Sequence, residues 1–258
     1  VNHQYCLTEI SCMTAFWIAL QFLTVLPIEL TTMPSAKQNG QAILFYPFVG
    51  LLIGLILFGV SLILVKLPIL LIASIILVLW IWLTGGLHLD GLADTADAWV
   101  GGFGDPERTL KIMKDPSCGP IGVLSLVAVC LLKFAALYVL LEQHLNTFLI
   151  LVPMLGRSVP LFLFLTTAYV RDKGLGRSIT DFIPKKLTWA VFVITISLLC
   201  MFKWLGLVTF ICFIAVLFYL RALFIKRIGG ITGDTVGAAI ELIETGLMLS
   251  FVMVSFYI

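Results

Sequence analysis

Three aspartates, Asp90, Asp94 and Asp97, follow one another at spacings of four and three in the stretch G-G-L-H-L-D-G-L-A-D-T-A-D-A-W. On a helix that spacing sets all three carboxylates on one face. Like charges so placed repel, and a cation among them relieves the repulsion. Hard oxygen donors suit Mg²⁺, with Mn²⁺ as the alternative, and Mg²⁺ characteristically takes one or two carboxylates together with substrate phosphates. The residues between the acids are small or apolar (Leu92, Ala93, Ala96, Ala98, Trp99). The helix is therefore expected to press against a membrane, where the other reading, a solvated acidic helix end, would have it stand in water. His88, two residues ahead of Asp90, is a base, a phosphate donor or a structural hydrogen-bonder. Asp90, Asp94 and His88 form the candidate catalytic set.

A second acidic group lies in I-T-G-D-T-V-G-A-A-I-E-L-I-E, where Asp234, Glu241 and Glu244 again share a helical face. Glu241 and Glu244 fall inside an apolar segment, where a carboxylate is costly and reads as functional. Metal ligation is the expectation, with pairing to a Lys or Arg of a neighbouring helix as the alternative. Thr232, Gly233 and Asp234 make a reasonable helix start. Basic residues follow the first group: R-T-L-K-I-M-K-D sets Arg108, Lys111 and Lys114 three apart, a cationic stripe suited to phosphates. Arg171 and Arg177 add to it from a later polar stretch, and Arg157 lies within an apolar run and needs a partner. A positive flank of a membrane helix, without substrate contact, is the competing reading for the loop residues. Gly85 and Gly86, where backbone free of a side chain can approach a ligand closely, and Thr232 complete the candidate substrate contacts. No Walker A, G-x-S-x-G or zinc-binding H-E-x-x-H pattern is present.

The elements that must bring these groups together are membrane helices. The chain has 258 residues, 61% of them apolar and only 12% charged, and its mean hydropathy is +1.13. A soluble domain carries about 25% charged residues. Expected is an all-α, polytopic membrane bundle forming one domain over residues 1–258, with about seven spanning helices. The spans are expected near 43–65, 69–83, 121–141, 148–168, 187–202, 205–225 and from 236 onward. Residues 14–30 are too short and too interrupted by Pro27 and Glu29 to span, and are expected as an interfacial helix. A polar connector covers 31–41. The net charge of +2 is too weak to argue for nucleic acid, and six scattered cysteines without a C-x-x-C pair predict neither disulfides nor a cysteine-metal site. The opening residues lack the basic region of a cleaved signal peptide.

This count carries a geometrical consequence. The polar loops 85–119, 169–186 and 226–236 follow the second, fourth and sixth spans, so all three converge on one membrane face. Lys37, Arg108, Lys111, Lys114, Arg171, Lys173, Arg177, Lys185, Lys186, Lys226 and Arg227 belong to that face, against Lys66 and Lys203 opposite. The positive-inside rule then directs the reactive face to the cytoplasm.

The motifs G-G-L-H-L-D-G-L-A-D-T-A-D, R-T-L-K-I-M-K-D-P-S-C-G-P-I-G-V and G-G-I-T-G-D-T-V-G-A-A-I-E-L-I-E resemble the cobalamin synthase family, the adenosylcobinamide-GDP ribazoletransferases. A-L-Q-F-L-T-V-L-P, Y-P-F-V-G-L-L-I-G and L-L-K-F-A-A-L are similar to that family too, in the same order along the chain. The resemblance implies a multi-pass, Mg²⁺-dependent enzyme of the bacterial cytoplasmic (inner) membrane. Its substrates would be adenosylcobinamide-GDP and α-ribazole or its 5′-phosphate, and its products adenosylcobalamin or its phosphate, and GMP. Asp90 and Asp94 would be the first metal ligands, with Asp97, Asp234, Glu241 and Glu244 completing one or two sites. Two other functions stay open: a CDP-alcohol phosphatidyltransferase acting on phospholipids, and an ion-coupled transporter using Glu241 and Glu244.

Overall fold

A computed structural model describes residues 2–30 and 32–257, the side chains of residues 2–12 excepted, and the described part is helical. Cys6 and Cys12 therefore lie outside the described side chains. The helices are α1 (Asn2–Leu23), α2 (Ala36–Ala42), α3 (Tyr46–Ile63), α4 (Ile69–Leu83), α5 (Leu87–Gly101), α6 (Pro106–Ile112), α7 (Pro120–Glu142), α8 (Phe148–Gly156), α9 (Val159–Thr166), α10 (Leu175–Phe182), α11 (Lys185–Ser197), α12 (Lys203–Ile228) and α13 (Gly233–Ser255). Among the described residues, five helical stretches are long and apolar enough to cross a membrane: Ala36–Ile63, Pro120–Glu142, Phe148–Thr166, Lys185–Ile228 and Gly233–Ser255. A sixth forms if α4 and α5, bent by 85° against each other, count together. The chain is a multi-pass membrane protein.

Hydrophobicity all round a helix signals burial in lipid or in a core. Here the two fates are divided. The stretch α8–α9 and helix α13 are almost wholly enclosed by protein, and form the centre of the bundle. Helices α3, α4, α7, α11 and α12 surround them and expose apolar side chains outward, among them Leu55, Leu70, Val78, Leu124, Leu131, Ile194 and Ile211. Close packing at the centre uses small residues, as expected where lipid offers no hydrophobic drive between helices. Gly50 and Gly54 of α3 lie flush against the backbone of α8 at Pro153 and Ile150, whereas Gly59 meets nothing nearby. Phe148 of α8 stacks on Phe251 of α13, with ring centroids 3.7 Å apart.

Three local features depart from expectation, and a fourth, the break within 185–228, falls where two spans are expected to divide. The N-terminal helix ends at Leu23, and residues 24–30 are irregular, not helical, with Val25 N–H donating to Leu83 O at the end of α4. The connector before α3 is itself helical: Ser35 and Gln38 form a capping box that starts α2, which runs through a short 3₁₀ turn into α3. The stretch 148–166 breaks at Arg157–Ser158, because Pro160 has no N–H to bond back to Gly156. Residues 185–228 form one helical run interrupted by a 3₁₀ segment at Leu198–Phe202 and by Lys203 at φ 52°. Phe162 touches Trp189 and Phe192 of α11 and Phe218 of α12, positions on either side of Lys203, so the chain doubles back there.

The first polar loop is no loop. Residues 85–119 hold α5 and α6, and the glycine doublet Gly85–Gly86 makes the sharp bend from α4 into α5 with φ of 59° and 67°. Only glycine adopts that left-handed backbone without strain.

Candidate active site

Helix α5 carries the aspartates, and its partner is α13. Gly91 sits directly on the backbone of Asp234, where an added methyl would stand 2.8 Å from Asp234 O. Gly237 packs in the same way over the backbone of His88. These small residues let the first turns of α5 and α13 touch, which brings Asp90 and Asp234 onto one cavity. That cavity, of about 160 Å³, is lined by His88, Asp90, Gly91, Gly176, Gly233, Asp234 and Gly237, with Phe22, Tyr46, Pro160 and Phe164 on its apolar side.

The other two polar segments are tied to the same end of the bundle. Tyr169 and Ile231 form a parallel bridge, with Val170 N–H donating to Ile231 O at 3.0 Å and Ile231 N–H to Ala168 O at 2.8 Å. Arg171 donates from Nη2 to Asp234 Oδ2 at 2.5 Å, while its buried Nε has no partner among the described residues. Asp94 lies within electrostatic reach of Asp90, Asp234, Asp97 and Arg171. Asp90 is exposed and Asp94 half-buried, and neither has a hydrogen bond or ion pair to the described residues. Beside them, burial pushes the Tyr169 hydroxyl above its usual range, with Arg171 opposing the shift.

Asp97 is placed differently from its two companions. Its Oδ2 accepts from Gly119 N–H at 2.7 Å and its Oδ1 from Gly122 N–H at 2.8 Å. It anchors the start of α7, where the unpaired amides and the helix dipole favour an anion.

Glu241 and Glu244 lie below the cavity and are engaged by cations, the pairing that the sequence left as the alternative to a metal. Lys133 Nζ stands 2.6 Å from Glu241 Oε2 and 2.7 Å from Glu244 Oε2, and 4.6 Å from the centre of the Trp80 ring. Arg157, fully buried at the α8–α9 break, pairs through Nη1 with Glu244 Oε1 and stands with Nη2 3.4 Å from His88 Nδ1. Both oxygens of Glu244 and one of Glu241 are thus taken by cations.

The remaining candidates sit apart. Arg108, Lys111 and Lys114 line a separate groove with Asp105, Glu107 and Asp115, and Arg108 lies over the Phe103 ring. Arg177 pairs with Asp181 on the surface of α10 at 3.1 Å. Thr232 caps α13 by accepting from Thr235 N–H, and is buried against Met113. Gly85 and Gly86 shape the bend and are not among the cavity-lining residues.

Two further cations have partners that their sequence context does not single out. Lys133 is a single lysine in the apolar run L-L-K-F-A-A-L, the same signal that marked Arg157. Arg227 looked like a membrane flank, yet it donates to Thr109 Oγ1 at 3.1 Å and to Trp99 O, and so fastens α12 to α5 and α6.

The donor chemistry fits Mg²⁺ in one particular way. Among the described residues no three His, Cys, Asp or Glu side chains are arranged to cage an ion. Two carboxylates without protein partners, Asp90 lining the cavity and Asp94 within electrostatic reach of it, suit instead an ion whose shell is completed by phosphate oxygens.

A family model described as cobalamin-5-phosphate synthase matches residues 15–252. An adenosylcobinamide-GDP ribazoletransferase of Acinetobacter baumannii is 69% identical over 246 residues, covering 95% of this chain and all of the relative. One of Pseudomonas fluorescens is 50% identical over 242 residues, covering 93% and 100%. No solved structure matches the chain.

Proposed function

The chain belongs to the cobalamin-5-phosphate synthase family, and from that premise we propose that it joins adenosylcobinamide-GDP to α-ribazole or its 5′-phosphate and releases GMP, in assembly of the coenzyme B12 nucleotide loop. The observation that carries this reading to particular residues is the meeting of Asp90 and Asp234 at one cavity, with Arg171 paired to Asp234, from three segments far apart in the chain. A diphosphate needs positive charge to hold it and a way to neutralise the leaving group.

The reaction is a displacement at phosphorus. A ribose hydroxyl attacks the phosphorus that carries cobinamide, the P–O bond to GMP breaks, and the hydroxyl proton passes to a carboxylate. Asp90 and Asp94 are the proposed Mg²⁺ ligands, with Asp234 the third acid of the group; Mn²⁺ would suit the same oxygens. Magnesium bound there would neutralise charge developing on the bridging and leaving oxygens. Arg171 holds Asp234 in place and has Nε free for a phosphate oxygen. The bend at Gly85–Gly86 presents Asp90 to the cavity. The apolar wall of Phe22, Tyr46 and Phe164 limits water around the reacting atoms.

The membrane would be the bacterial cytoplasmic membrane with this face inward, since Lys and Arg crowd the convergent end. Purified protein in liposomes, given both substrates and Mg²⁺, should release GMP, and chelation of the metal should stop it. Release of CMP from a CDP-alcohol, with none of GMP, would move the reading to a phospholipid-type transferase.

A further inference from the structure

We propose that His88 serves as a hydrogen-bond donor to a substrate phosphate oxygen, fixed in its Nε2–H tautomer by the buried relay Arg157–Glu244–Lys133–Glu241. The phosphate rests on the transferase reading above; the tautomer does not.

A guanidinium has donors and no acceptor. Arg157 Nη2 faces His88 Nδ1 at 3.4 Å, so Nδ1 must present its lone pair. A neutral ring then carries its proton on Nε2. His88 lines the cavity beside Asp90 and Asp234. With Nδ1 taken, the nitrogen left for a ligand is Nε2, which donates. His88 is thus a phosphate ligand, and the hydroxyl proton of the nucleophile goes to a carboxylate.

The relay explains why Arg157 holds that position. Its Nη1 is bound by Glu244, and Gly156 packs against Glu244, where an added methyl would stand 2.6 Å from Cγ. Glu244 is held in turn by Lys133 at 2.7 Å, and Lys133 by Glu241 at 2.6 Å and by the face of Trp80. Two cations and two anions cancel, so the cluster adds geometry to the site without net charge. A fixed arrangement of buried charged groups of this kind imposes a single geometry on its neighbours. Arg157, Glu244, Lys133 and Glu241 are positioning residues; none needs to touch substrate.

The test has two arms. Protein labelled with ¹⁵N-histidine in liposomes, without substrate, has three histidines to resolve, and His88→Gln identifies the signal of interest. The expected spectrum shows an unprotonated Nδ1 and a protonated Nε2 at His88, and Glu244→Gln shifts it towards a mixture of tautomers. A protonated Nδ1 in the wild type, or a Glu244→Gln spectrum identical to it, overturns the proposal. In the kinetic arm His88→Gln, whose amide N–H stands in for Nε2–H but cannot take a proton, keeps kcat within about tenfold, while His88→Ala loses on the order of 10²–10³, as for removal of one donor to a reacting oxyanion. His88→Gln as slow as His88→Ala also overturns it. A wild type that releases no GMP would refute the transferase reading, and the spectrum would still decide the tautomer.

Discussion

Asp90, Asp94 and Asp97 are one motif by spacing and two by role. Asp97 has both oxygens on the amides of Gly119 and Gly122, whereas Asp90 and Asp94 face the cavity end without protein partners. Asp90→Asn should therefore abolish GMP release and leave thermal unfolding in detergent unchanged; near-wild-type turnover would remove Asp90 from the metal site. Asp97→Ala should do the opposite. Loss of the cap should lower stability by about 1–2 kcal/mol, read as an earlier unfolding transition, with turnover per folded molecule largely kept. The spacing revealed that the three carboxylates share a helical face. It could not reveal Asp97's partners, because the amides of Gly119 and Gly122 become its neighbours only when α7 packs on α5.

At the scale of the element, the bend between α4 and α5 decides where the aspartates point. Gly86 holds φ 67° as the residue that starts α5. Gly86→Ala puts a side chain into the left-handed region at a cost of about 1–2 kcal/mol. Relief of that strain by straightening the bend would carry Asp90 away from Asp234, so turnover should fall more than stability does. An enzyme whose kcat is unaffected by Gly86→Ala would show that the bend does not set the site. Most of the long helices were legible from apolar run length, α4 and α7 almost to the residue. The start at Ser35 was hidden because 31–41 is polar and reads as a connector, with Asn39 and Gly40 weak helix formers; the capping box and the packing of Gly40 against Phe182 override it. In 185–228 the expected division between 202 and 205 falls at the turn at Lys203, a charged residue within an apolar run.

Across the whole molecule, buried charge links the cavity to the bundle centre. Lys133→Met would leave Glu241 without its cation in the interior. Breaking one side of a buried pair costs about 3–5 kcal/mol, whereas removing both sides can be nearly neutral. Lys133→Met should thus unfold at a markedly lower temperature, and the added change Glu241→Gln should recover part of the loss. Failure of the second substitution to recover anything would argue that the two side chains are not paired. The parity of the spans made the convergence of the three polar segments legible. Which acids would meet a cation and which would keep free oxygens was not, since Lys133 and Arg157 reach Glu241 and Glu244 only after three helices pack.

The central claim is that Asp90 and Asp234 act on one diphosphate in one site. A double-mutant cycle with Asp90→Asn and Asp234→Asn, read as Mg²⁺-dependent affinity for adenosylcobinamide-GDP, tests it most directly. Residues sharing one site should show a coupling of about 0.5–3 kcal/mol, with the double variant losing less than the sum of the single losses. Strict additivity of the two losses would contradict the account.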